Sequence, residues 1–96
     1  MTRLVVSDAA RADLRAIRSY TEREWGPSRR GQYLAAIEDR FKLLKKRPEL
    51  AAIRSDLPAG FRSLAIGRHL IFYRYENQTV SIVRILHQQM DVRLHL

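Results

Sequence analysis

The stretch FRSLAIGRHLIFYRYENQTVSIVRIL, residues 61–86, decides the fold. Its apolar residues alternate or run together over short spans, which is a strand pattern. Phe61–Ile66 reads as one strand and Gly67 as a turn. Leu70–Tyr75 reads as a stronger strand, aromatic and β-branched. Glu76-Asn77-Gln78 closes a hairpin without the favoured Asn-Gly pair. Thr79–Leu86 makes a third strand, with Val80, Ile82 and Leu86 on one parity and Val83 and Ile85 on the other. Apolar residues on both parities predict a strand inside the sheet. Arg84 shares its parity with Val80, Ile82 and Leu86, so it needs a partner or an exit to water. A functional arginine, or one paired to an acidic partner chain, is expected there.

Upstream of Gly60 the period is helical. Leu4-Val5-Val6 is a short strand, and Ser7 stands at the N-cap position with Asp8 in the first turn. Ala10 occupies the place where a capping box would put Glu or Gln. Leu14, Ile17, Thr21 or Tyr20, and Trp25 predict the apolar face of a first helix, with Arg11, Arg15, Arg18 and Glu22 on the other side. Gly26-Pro27 ends that helix and begins a second, with Leu34, Ile37, Phe41 and Leu44 in its stripe and Tyr33 beside it. Lys45, Lys46 and Arg47 suit the last turn, and Pro48 stops the helix. Two helices joined so tightly form an αα-hairpin. Residues 49–60 connect it to the strands. The order β-α-α-β-β-β predicts an α+β fold, with a mostly antiparallel sheet and the helix pair on one face. The first strand must return beside the others, at the edge or inside.

The chain has 96 residues, which suits one domain spanning 1–96. Its net charge of +8 and pI near 10.8 point to an acidic partner, nucleic acid or protein. Fifteen of its eighteen cations are arginine. Guanidinium groups bind phosphate and carboxylate in a bidentate manner, although a GC-rich coding sequence would give the same bias. The absence of cysteine excludes disulfides, cysteine zinc sites and thiol catalysis. No apolar run is long enough to cross a membrane, and Met1–Val6 is too short for a secretory signal, so the cytoplasm is the expected compartment.

His69, His87 and His95 lack metal-ligand spacing, and the four glycines form no phosphate loop, so no cofactor is expected. RNA cleavage through the 2′-hydroxyl would need a base, an acid and a cation. His69, His87, Tyr73, Tyr75, Arg62 and Arg84 are the candidates, with Arg74 on the opposite parity from Tyr73. Packed tyrosines and solvated arginines are the plain alternative. Arg11, Arg15 and Arg18 form either a solvated helix face or a docking face for an acidic segment.

Several motifs resemble the ParE toxins of the RelE/ParE superfamily. They are Ser7-x-Ala9-Ala10-x-x-Asp13-Leu14-x-x-Ile17-x-x-Tyr20, Phe61-Arg62-Ser63, His69-x-Ile71-Phe72-Tyr73-Arg74 and Val83-Arg84-Ile85-Leu86-His87-x-x-Met90-Asp91. The resemblance runs from Leu4 to Leu96 and implies a RelE/ParE-like fold and a type II toxin–antitoxin system. It implies a toxin that inhibits DNA gyrase by binding, with no catalytic residues. Its partner would be an acidic ParD-like antitoxin, with DNA reached only through that antitoxin. Arg11, Arg15, Arg18, Arg62, Arg74 and Arg84 are expected to meet the antitoxin, and His87, Met90, Asp91 and Arg93 to meet the target. Packing of the tail through Met90 and Leu94 is the alternative for that segment. The superfamily's RelE and YoeB branch cleaves mRNA on the ribosome; here Tyr73, Arg84 and His87 would carry that chemistry. The chain departs from that branch at His69, where those nucleases carry arginine, and at Gln88 and Gln89. His87 matches both branches.

Overall fold

The computed structural model describes all residues, 1–96. The chain runs β1 (Arg3–Val6), α1 (Asp8–Trp25), α2 (Pro27–Lys46), β2 (Phe61–Ile66), β3 (His69–Glu76), β4 (Thr79–His87) and a final 3₁₀ turn, Val92–Leu94. The order matches the sequence reading, and so do the helix boundaries. Ser7 caps α1: its Oγ accepts the Ala10 N–H at 3.0 Å and donates to the Val83 carbonyl at 2.7 Å. Gly26, at φ 90°, turns the chain into Pro27 at the start of α2.

The sheet order is β1-β4-β3-β2. The three later strands are antiparallel, but β1 runs parallel to β4, so the sheet is mixed rather than antiparallel throughout. β1 lies at the edge, and β4 is inside as its double apolar pattern required. β4 carries a bulge: Phe72 faces Arg84 while Tyr73 faces Ile82, which leaves Val83 as the extra residue. The bulge exchanges the two parities. Val80 and Ile82 join the helix-side core before it, and Ile85 joins after it.

That core also holds Ala10, Ile17, Ile37, Leu44, Ile66, Ile71 and Tyr73. A smaller cluster of Leu57, Phe61, Phe72 and Leu86 covers the opposite face, with Val92 and Leu96 packed against it. The tail therefore docks through Val92 and Leu96. Met90 and Leu94, the expected anchors, are exposed. Tyr20 and Trp25 are also exposed, against the apolar-face reading, because α1 ends over an open cleft and not over strand.

A cationic cleft as candidate functional site

The cleft lies between the second half of α1 and the ends of β3 and β4. It consists of two adjoining cavities, about 310 and 510 Å³, which share Tyr20, His69 and His87. The first is walled by Trp25, Arg29, Tyr33 and Arg68; the second reaches Asp13, Arg84 and Met90.

A tight turn sets part of its floor. Gly67 opens the two-residue turn between β2 and β3 at φ 53°. A Cβ there would lie 2.7 Å from the Tyr33 ring, so only glycine lets α2 press that ring onto the turn. The Tyr33 hydroxyl is 3.0 Å from the Ile66 carbonyl and 2.6 Å from His69 Nδ1. Assigning its proton to the carbonyl makes Oη the acceptor of a His69 Nδ1–H, which leaves Nε2 of His69 as a bare acceptor. Burial raises the Tyr33 phenol pKa. Burial also lowers the His69 pKa, the neighbouring His87 adds to this, and Asp13 opposes it.

The His69 and His87 rings meet edge to face, with centroids 5.4 Å apart. His87 Nδ1 accepts the Gln89 N–H at 3.1 Å, so the neutral ring carries its proton on Nε2. Side by side, the two imidazoles present one acceptor and one donor. The only carboxylate lining either cavity, Asp13, is already neutralised. Its two oxygens take Arg84 Nε and Nη2 at 2.8 and 2.9 Å, and Oδ2 also takes the Ile85 N–H at 2.9 Å.

The expected site residues fall into separate groups. Arg84 has its partner inside the chain, not on another chain, and its Nη1 also bonds the His95 carbonyl. Tyr73 is fully buried, and its hydroxyl donates to the Pro48 carbonyl and accepts the Ala51 N–H. Tyr73, Arg84 and His87 therefore do not converge, and Tyr73 leaves the set of catalytic candidates. Tyr75 packs against the helix-side core. Arg62 holds the loop after α2 through the Ala51 and Glu49 carbonyls. Arg74 lies over the Phe61 ring at 4.3 Å, on the sheet face away from the helices, with its Nε unbonded. Arg11, Arg15 and Arg18 are exposed and form no salt bridge. They lie on the side of α1 away from Asp13, Ala16 and Tyr20, on the stripe that continues toward Trp25 at the helix end. His87 and Met90 line the cleft, whereas Asp91 and Arg93 pair with each other at 3.2 Å.

Sequence reasoning missed Tyr33, Arg29 and Arg68 as site residues, and it put Tyr20 and Trp25 on the packed face of α1, whereas both stand exposed beside the cleft. Asp13 carried a usable signal, since a core-parity Arg84 demands an acid and Asp13 is the acid one helical turn from Ile17. No group of His, Asp and Glu in the structure could hold a metal ion, and no helix is long and apolar enough to cross a membrane.

Comparison with known proteins matches residues 4–92 to the family described as ParE toxin of type II toxin–antitoxin system, parDE. Toxin ParE1 of Caulobacter vibrioides is 35% identical over 91 residues, covering 95% of this chain and 94% of the relative. Toxin ParE1 of Mycobacterium tuberculosis is 33% identical over 96 residues, covering 99% and 98%. A solved chain of the chromosomal ParDE TA system from P. aeruginosa superposes with a TM-score of 0.79 at 26% identity, covering 91% of this chain and 96% of that one.

Proposed function

The chain belongs to the ParE family of type II toxin–antitoxin toxins, and from that premise we propose that it inhibits DNA gyrase by direct binding and is neutralised by an acidic ParD-like antitoxin. The observation that carries the antitoxin half is the Arg11, Arg15 and Arg18 row: three exposed cations along one helix, none of them in a salt bridge. Such a row steers an acidic segment and orients it along α1. Arg74, with an unbonded Nε beside Phe61, offers a further contact on the opposite sheet face. An antitoxin that folds on the toxin must reach both, which is consistent with the large interfaces of permanent complexes. Gyrase inhibition rests on the family, with His87 and Met90 on the cleft rim as the contacts toward the target and Asp91 and Arg93 beside them.

Charge reversal at Arg11, Arg15 and Arg18 together tests the antitoxin reading. Affinity for the antitoxin should fall at least tenfold, mostly through a slower association rate. Unchanged affinity would contradict it.

A second reading, ribosome-dependent mRNA cleavage of the RelE or YoeB type, is favoured by the His69–His87 pair alone. Cleavage of mRNA in a translating extract, abolished by His87→Ala, would establish it.

A further inference from the structure

We propose that the cleft binds a nucleotide-sized ligand, a planar base carrying a phosphate, at a site that overlaps the proposed gyrase contacts only at its rim, through His87 and Met90. Three independent features define the ligand. The first is charge: Arg29 and Arg68 line the inner cavity and no carboxylate does. In the outer cavity Asp13 is bonded by Arg84, so an anion meets no free acid anywhere along the cleft. The second is shape. Trp25 and Tyr20 stand at the mouth with large exposed ring surface, and the Arg29 guanidinium lies over the Trp25 ring at 5.7 Å. A base stacking on Trp25 would complete that arrangement from the other face. The third is a single unused imidazole donor. The Nδ1 of each histidine is committed within the chain, to Tyr33 and to the Gln89 N–H. The donor Nε2–H of His87 and the Arg68 guanidinium are left for phosphate oxygens. The inner cavity has the size of a small ligand site.

Neither half of the ligand suffices on this geometry. An inorganic phosphate makes no use of the rings, and a nucleoside makes no use of the arginines. A single-stranded nucleic acid shares the chemistry of a free nucleotide but has to thread its flanking residues past the α1 end and the tail.

Trp25 is the chain's sole tryptophan, which supplies the readout. The purified 96-residue chain is titrated with 5′-AMP, adenosine, inorganic phosphate and a short oligoribonucleotide, following Trp25 fluorescence, with calorimetry as a second measure. The expected result is saturable quenching by AMP, with adenosine, phosphate and the oligonucleotide each at least tenfold weaker. Arg68→Ala should weaken AMP binding at least tenfold by calorimetry, whereas Arg11→Ala, the same charge change about four turns away along α1, should leave it intact. AMP no tighter than phosphate, equal loss in the two variants, or tighter binding of the oligonucleotide would each overturn the assignment. Gyrase inhibition is read in a separate assay, so the failure of one proposal is distinguishable from failure of the other.

Discussion

At the scale of single residues, chemistry that looks catalytic in the sequence serves structure instead. Tyr73 was a fair candidate on composition alone, since a tyrosine on a central strand can be a proton donor or a packing residue. Its hydroxyl ties the loop at Pro48 and Ala51 to the core. Tyr73→Phe should therefore lower stability by about 1–2 kcal/mol, the cost of leaving a buried carbonyl and N–H unpaired. Urea denaturation measures this, and growth arrest by the variant should be undiminished. His69 predicts a pH effect. Its pKa is lowered in the fold, mainly by burial and then by His87, against a smaller pull from Asp13. The unfolded chain therefore takes up a proton near pH 6.5 before the folded chain does, so stability falls as pH drops from about 6.5 toward the folded value. Thermal melts between pH 7.5 and 5 should show this decline, and His69→Gln should flatten it.

At the scale of elements, most boundaries were legible because each has a local cause. Ser7, Gly26-Pro27 and Pro48 act through their own backbone chemistry, and strands with alternating residues announce themselves. What was not legible is non-local. The direction of β1 depends on where the chain lies after both helices, and nothing in Leu4-Val5-Val6 encodes it. The bulge at Val83 depends on the partner strand, so a reading at strict period 2 placed Arg84 in the core with Val80 and Ile82. The bulge instead turns Arg84 to Asp13, where β1 has ended and β4 would otherwise expose its Val83 carbonyl and Ile85 N–H. Ser7 and Asp13 of α1 cover both groups. Asp13→Asn should cost about 2–4 kcal/mol, since it leaves a half-buried guanidinium without its charge partner. Chemical denaturation measures the loss. A change under about 0.5 kcal/mol would show that the pair is incidental to the junction.

At the scale of the whole molecule, charge and topology act together. The excess of +8 is not spread evenly: the cleft is cationic at one end of the sheet, and the outer row of α1 is cationic on another side. The basic composition predicted acidic partners but could not divide the arginines between structural and free ones. Arg62 and Arg84 are held by the chain, whereas Arg11, Arg15 and Arg18 are not, and only the folded register separates the two groups. The cleft was similarly hidden, because it joins residues from α1, α2 and both ends of the β-hairpins.

Supercoiling of relaxed plasmid by purified gyrase, titrated with the purified chain, tests most directly whether this molecule acts by holding another macromolecule. The account predicts inhibition that rises with toxin concentration and is relieved by antitoxin added beforehand. Supercoiling at full rate under molar excess of folded toxin would contradict it.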